Sequence, residues 1–500
     1  MVAEVTSFAF EGVEARPVTV QAHLSGGHPN FIIVGLPDKA VNEAKDRISA
    51  AFSAIGLGLP PKRITVNLAP ADVRKEGSHF DLPIALALMA EMGAIPRDAV
   101  DGMAVIGELG LDGSIAKTIG ALAAAVAANA EDLGLICAEA SGAEAAWAGS
   151  NQHIVAAGSI IQLVNHFKGA QILAPPEPGT LLTAEGVPDL ADVKGQETAR
   201  RALEVAAAGG HNLVLIGPPG SGKSMLASRL PGLLPPLTAE EMLDVSMIQS
   251  VAGLIENGAL SRTRPFRAPH HSASMAAMVG GGMRAKPGEA SLAHRGVLFL
   301  DELPEFAAPV LDSLRQPLET GDILIARANA HIRYPARFQL VAAMNPCRCG
   351  SVCIRGPSCA AKYQSRVSGP FLDRMDITIA TPPVSALDLA APGGGEATAP
   401  IAERVALARQ RQEERGALNA HLGERELTTE ARPDGEGQAL LLKVCKTLKL
   451  SARAYTRTLR VARTLADLEG SDAVRRLHIA EAISFRRPEP APKQHASAPM

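Results

Sequence analysis

The residues that could do chemistry begin with Gly217, Pro218, Pro219, Gly220, Ser221, Gly222, Lys223 and Ser224, set between an apolar run and a helix-forming stretch. In this G-x-x-x-x-G-K-S pattern the glycines let the backbone curl until successive N–H groups face a phosphate. A helix opening after Lys223 would add its positive end to that cradle. Lys223 would reach the β and γ phosphates, and the Ser224 hydroxyl would ligate Mg2+. A second run, GVLFLDELPEF, carries Val297 to Leu300 and then Asp301 and Glu302. Acids at the carboxyl end of a parallel strand stand where ligands collect. Asp301 is placed to hold the Mg2+ shell, and Glu302 to orient and polarise an attacking water. A third run, FQLVAAMNP, ends in Asn345, whose amide could hold that water or sense the γ phosphate.

The segment SGPFLDRMDI supplies Arg374. A fixed guanidinium reaching a neighbouring subunit's γ phosphate is worth on the order of 10³ to 10⁵ in rate. A surface Arg374 paired with Asp373 or Asp376 would contribute about 0–1 kcal/mol. The residues alone leave the two readings open. Four of the six Cys, at 347, 349, 353 and 359, fall in the spacing C-x-C-x₃-C-x₅-C. Four thiolates so close could surround one tetrahedral structural Zn2+, with no open position for catalysis. The alternative is a loop of reduced, partly buried thiols. From Leu441 to Arg463 stand seven basic residues and no acid: Lys443, Lys446, Lys449, Arg453, Arg457, Arg460 and Arg463. Spacings of three and four put the last arginines on one helix face. That face is either a nucleotide sensor with solvated neighbours or, in addition, a phosphate grip on nucleic acid.

These groups need elements to carry them. Residues 1–170 mix short apolar runs (Phe31 to Val34, Ile64 to Leu68, Val105 to Leu109) with Ala-rich stretches (Asp81 to Glu91, Ile119 to Ala130), an α/β pattern. Residues 171–188 hold four Pro and two Gly and read as a linker. In 189–380 the runs Asn212 to Ile216, Gly296 to Leu300 and Phe338 to Met344 suit central strands of a parallel sheet covered on both faces. A second linker at 381–400 leads to helices over 401–486, such as Ile401 to Arg415 and Ala452 to Leu468, and 487–500 has the composition of a disordered tail. The expected fold is therefore α/β: a P-loop parallel sheet with a helical lid, preceded by a second α/β domain.

Bulk composition narrows the partners. The net charge of −3 argues against a chain coated in basic surface, though not against a local basic channel. Aromatics at 3% argue against stacking platforms for bases. No apolar run of about 18 residues predicts a membrane span, and the acidic start lacks a signal-peptide pattern, so a cytoplasmic location is expected.

With these residues in hand, the chain resembles the ComM/YifB family of magnesium-chelatase-like AAA+ ATPases. The resemblance is carried by NFIIVGLPDKAVNEAKDRI, RITVNLAPADVRKEGSHFDLPIAL, RPFRAPHHSASMAAMVGGG, GVLFLDELPEF, LRQPLETG, SGPFLDRMDI and LSARAYTRTLRVARTLADL. It implies ATP and Mg2+ as cofactors and a hexameric ring. It makes Arg374 an arginine finger acting in trans, and Arg453 a lid sensor on its own subunit's nucleotide with Arg457 as the fallback. It puts Val193 and Lys194 beside the adenine, and makes pore hairpins of the regions around His270-His271 and Arg327. It implies a lid that shifts against the core during turnover, and a motor that moves branched DNA in natural transformation. A chelatase-type motor remodelling a protein partner is the alternative, and an ATP-dependent protease a weaker one. The first block resembles a Lon-protease domain, but the nucleophile position falls on His79 and the Lys position near Ala124, so it reads as non-proteolytic. A Ser78–Lys117 dyad is the one proteolytic arrangement left.

Overall fold

Alternating apolar runs and Ala-rich helices fold the chain into two α/β bodies joined by a buried seam. The computed structural model describes residues 2–149, 152–183, 186–282, 285–327, 330–350, 353, 357–390, 394–448 and 450–486; Lys449 and the expected tail lie outside these. In the N-terminal part a seven-stranded mixed sheet runs in the order Asn30–Val34, Arg63–Ala69, Glu14–Ser25, Ala3–Glu11, Met103–Val105, Gly134–Ala138, Ile154–Ala157. The helix Asp81–Met92 lies across it, buried continuously from Asp81 to Ala90. Its buried Asp81 carboxylate is held by the Arg47 guanidinium through bonds of 2.6 and 2.9 Å. The expected single run Val105 to Leu109 is broken. Gly107 donates its N–H to the His79 carbonyl, and Glu108–Leu109 leaves the main sheet to pair with Ile115–Ala116.

The second body is a five-stranded, all-parallel sheet: β1 (Leu213–Ile216), β2 (Phe266–Arg267), β3 (Val297–Leu300), β4 (Gln339–Met344) and β5 (Ile377–Ala380), in the spatial order β2-β3-β4-β1-β5. The residues of β3 and β4 are buried on both faces, which explains why they read as unbroken apolar runs rather than alternating ones. Around the sheet lie α1 (Glu197–Gly209), α2 (Lys223–Ala227), α3 (Ala239–Ala252) and α4 (Pro357–Gln364). The α2 helix is five residues long, and the chain resumes helix only at Leu230–Leu233, so the phosphate loop meets a shorter helix than the sequence suggests.

The two turn-rich stretches hold structure of their own. Leu181–Leu182 pairs in parallel with Leu260–Ser261, so 171–188 adds a strand to the second body. Within 381–400, Ala386–Ala390 is helical and α5 (Thr398–Glu414) begins early, because Thr398 bonds to Asp189 and accepts the Leu190 N–H. Three polar contacts seal the N-terminal body to α3 and its following loop. Ser250 donates to Glu144 at 2.6 Å, Lys117 to the Ile255 carbonyl at 2.7 Å, and the Trp147 indole to the Gly258 carbonyl at 2.8 Å. Leu122, Ile255 and Leu260 form the apolar seam beside them.

The last helices, α5, α6 (Gly435–Leu448), α7 (Ala452–Glu469) and α8 (Arg476–Ser484), share one hydrophobic core with α1 and the sheet. Leu203, Leu213 and Ile377 belong to the same cluster as Val405, Val461, Leu465 and Ile479. The helices expected to act as a lid are packed against the sheet domain in this conformation. Between the sheet and α7 lies a buried carboxylate, Asp376, which accepts the Asn212 N–H at 3.0 Å and an Arg457 N–H at 2.5 Å. Burial alone would raise its pKa; the His211 ring and the Arg457 guanidinium more than offset this and hold it well below the usual carboxylate range. Arg457 is the closer partner, since the His211 Nδ1 lies 3.7 Å away. A depressed carboxyl pKa contributes stability that is complete above about pH 4 and fades as the solution becomes more acid. Asp376→Ala, which strands Arg457, is expected to lower unfolding free energy by about 3–5 kcal/mol in urea titrations at pH 7. The loss should shrink toward acid pH.

Candidate functional site

Three neighbouring strands, β3, β4 and β1, end side by side, and each delivers polar residues to the same edge. In register, Leu300 pairs with Ala342 and Ile216 with Met344, so β3 ends two residues short of β1 along β4, and all three strands run out at the same edge. From β1 the chain enters the loop at Gly217, where a Cβ would stand 2.1 Å from the Thr381 carbonyl oxygen that follows β5. Any side chain there would push the loop off the sheet. Gly222 has φ +85°, a left-handed conformation that turns the loop into α2. Ser221 is buried with its hydroxyl 3.2 Å from that of Thr381, while Pro219 and Gly220 are exposed.

The Lys223 ammonium donates to the carbonyls of Gly217 and Pro218, both at 2.8 Å, and to Asn345 Oδ1 at 3.2 Å. Burial lowers its pKa, and the charges of Asp301 and Glu302 pull it back up. Ser224 Oγ donates to Asp301 Oδ2 at 2.6 Å, and Asp301 Oδ1 accepts the Glu302 N–H at 2.8 Å. Glu302 itself has φ +52°, a left-handed conformation rare for a residue with a side chain and common where function demands it. Its carboxylate is half exposed, with His271 Nδ1 3.4 Å from Oε2. The hard oxygen donors of Ser224 and Asp301 fit Mg2+, and the Lys223 ammonium beside them fits phosphate oxygens. Lys223, Ser224, Asp301, Glu302 and Asn345 are thus brought together.

Other expected residues stand elsewhere. Val193 is buried on the segment before α1, and this segment is tied to the phosphate loop by Gln196, whose amide donates to the Ser221 carbonyl at 3.1 Å and to that of Pro382 at 2.5 Å. Gln196 and Thr381 carried no signal in the sequence, because both act through backbone atoms distant along the chain. Arg374 precedes β5, at the opposite end of the sheet from the phosphate loop. Its guanidinium is buried and bonds to the Pro370 carbonyl and to Glu319, not to Asp373 or Asp376. Arg453 is exposed and lies one turn before Arg457, which is anchored at that same far end through Asp376 and the Arg374 carbonyl. Among the described residues no hydrogen bond joins Arg453 or Arg457 to the phosphate loop of this chain, and Arg457 is bonded to Asp376 and the Arg374 carbonyl.

The basic face is likewise taken up internally. Arg460 donates to the Leu422 carbonyl, and the buried Arg463 binds Asp467 and the Ser471 and Asp472 carbonyls. Burial lowers the pKa of both. Lys443 and Lys446 remain exposed, and the side chain of Arg327 falls outside the described residues. In the N-terminal body Ser78 donates to Glu108, whereas Lys117 is bound to the Ile255 carbonyl and lies 3.7 Å from Glu144. No Ser78–Lys117 dyad forms. His79 is buried with Nε2 2.8 Å from the Phe8 carbonyl oxygen, and burial lowers its pKa to about 4, so it is neutral at pH 7. The four clustered Cys place their Sγ atoms within 4.8 Å of one another. Crowding by Cys349, then burial, pushes the Cys359 thiol up to about 11.

Three family models match in chain order: subunit ChlI of Mg-chelatase over residues 20–141, magnesium chelatase subunit ChlI over 189–389, and its C-terminal part over 395–486. The competence protein ComM of Haemophilus influenzae is 44% identical over 493 residues, covering 96% of this chain and 97% of that protein. The chain belongs to the ComM/YifB family of magnesium-chelatase-like AAA+ proteins. The uncharacterized protein YifB of Escherichia coli is 44% identical over 488 residues, 95% of each chain. The magnesium-chelatase 38 kDa subunit of Rhodobacter capsulatus is 29% identical over 171 residues, 31% of this chain and 49% of that one. Among the described residues no helix is long and apolar enough to cross a membrane.

Two substitutions separate binding from turnover at this site. Lys223→Ala is expected to weaken ATP binding more than about tenfold, measured by fluorescent-nucleotide titration. Glu302→Gln is expected to keep ATP bound and cut steady-state hydrolysis by about 10² or more. Wild-type turnover in Glu302→Gln would remove that residue from the role of base.

Proposed function

We propose that the chain is an ATP-hydrolysing ring motor, a homohexamer by family resemblance, that moves along or remodels branched DNA. The observation that carries the ATPase reading is the contact of Ser224 with Asp301 beside an exposed, strained Glu302. In this reading the loop from Gly217 to Gly222 cradles the phosphates, Lys223 neutralises the β and γ oxygens, and Ser224 with Asp301 holds Mg2+. Glu302 polarises the attacking water and Asn345 orients it. The reading calls for ATP and Mg2+ at the loop and for a structural Zn2+ on the four thiols. Arg374 and Arg453 lie away from their own loop, so a contact of either with nucleotide would cross a subunit boundary. For Arg374 that contact requires it to exchange Glu319 for a neighbour's γ phosphate.

The DNA part rests on the relative named a competence protein, similar over nearly its whole length, and on the family resemblance. With Arg457, Arg460 and Arg463 engaged internally, the grip must come from other cations, such as Lys443 and Lys446, lining the ring. Such a grip reads backbone charge, not sequence. A protein-remodelling chelatase motor is the alternative, supported by the Rhodobacter relative, which aligns with less than a third of this chain.

ATP turnover measured with single-stranded, duplex and forked DNA separates the two. Forked DNA is expected to raise turnover several-fold at low salt. Each phosphate contact should add about 0.9 to the salt dependence of binding. Turnover and oligomerisation unchanged by any DNA would replace this reading with protein remodelling.

A further inference from the structure

The Cys loop leaves β4 directly after Asn345 and returns through α4, and it touches more of the nucleotide site than its sequence position suggests. Cys347 is buried, Cys349 and Cys359 are partly buried, and Cys353 is exposed. Their four Sγ atoms lie within 4.8 Å of one another, and those of Cys349 and Cys359 are 3.6 Å apart. Zn–S bonds of about 2.3 Å at tetrahedral angles put neighbouring sulfurs about 3.8 Å apart, whereas a disulfide needs about 2.05 Å. The four thiols are close enough for one metal ion to gather them, and the separation of Cys349 and Cys359 is too long for a disulfide.

Around this cluster three parts of the ATP site converge. On one side, Gly350 lies against the phosphate loop, where a Cβ would stand 3.5 Å from Pro219 Cγ. At the base, Gln364 at the end of α4 donates to the Pro346 carbonyl at 3.1 Å, closing the loop onto the residue after Asn345. On the far side, Arg366 just after α4 donates to Glu305 at 2.9 Å and to the Pro304 carbonyl at 3.3 Å, on the turn that follows Glu302. Tyr363, buried on α4, faces the same Glu305 and Glu302.

We propose that Cys347, Cys349, Cys353 and Cys359 bind one Zn2+, and that this metal knot is a strut holding the phosphate loop at a fixed distance from the acidic turn after β3. As the metal enters, each thiol gives its proton to solvent and forms one S–Zn bond, so zinc uptake releases protons and no oxidant is needed. With four sulfur ligands the ion has no open position, so its contribution is geometric. Without it, the loop from Cys347 to Cys359 loses its cross-link, and Pro219 and Glu305 lose a common support. This inference rests on the reading of the Gly217 loop as an ATP site only for its second half; the metal site stands independently.

The test uses the full chain purified without chelator, with metal content by mass spectrometry, Co2+ exchange followed by visible absorption, and MgATP affinity before and after metal removal. The expected results are about one Zn per chain, a tetrahedral thiolate spectrum with Co2+, and a weakening of MgATP binding by at least about fivefold on stripping, reversed by added Zn2+. Cys349→Ser with Cys359→Ser should abolish both the metal and the Co2+ spectrum. Should that double variant fail to fold, the reversible stripping of wild type still decides. Less than about 0.1 Zn per chain together with no Co2+ uptake overturns the site. Zinc present but MgATP affinity unchanged on stripping overturns the strut. A zinc-loaded chain that never binds MgATP counts against the ATPase reading and leaves the metal site intact.

Discussion

The hydrogen bond from Ser224 Oγ to Asp301 Oδ2 ties together the ends of β1 and β3, strands that are not neighbours in the sheet. Strands spaced about 4.8 Å apart put these ends nearly 10 Å from each other, with β4 between. The loop after β1 and the start of α2 carry Ser224 across that gap to Asp301, and Asn345 fills the middle by bonding Lys223. The register of β3, β4 and β1 sets which residues meet at the site. A one-residue slip in either strand would turn Asp301 or Asn345 to the other face.

Much of this could be read directly from the chain, because it is local. The apolar runs marked β1, β3 and β4 to within a residue; Asp301 and Asn345 follow their strands at once, and Lys223 follows β1 after the loop 217–222. The glycine pattern needed no partner to be recognised, although the reason for Gly217, the Thr381 carbonyl, lies more than 160 residues away. Long-range charge pairing was invisible: Arg457 with Asp376 and Arg374 with Glu319 join segments far apart in the chain. Arg463 with Asp467 is a pair one helical turn apart, and only its burial was hidden. Periodicity reports which residues share a face but not what that face meets.

In this conformation α5 to α8 share a core with α1, and the Arg404 bond to Glu204 joins the two further. The N-terminal body is fastened to α3 through Glu144, Lys117 and Trp147, so it would travel with the core it is docked on.

The central claim is that the loop from Gly217 and the acids after Leu300 serve a single magnesium-bound triphosphate. Its most direct test is an experimental structure of the Glu302→Gln chain with Mg2+ and ATP. The account predicts the phosphates in the 217–222 loop, with Mg2+ about 2.1 Å from Ser224 Oγ and Asp301 within its water shell. A nucleotide whose magnesium touches neither residue would contradict it.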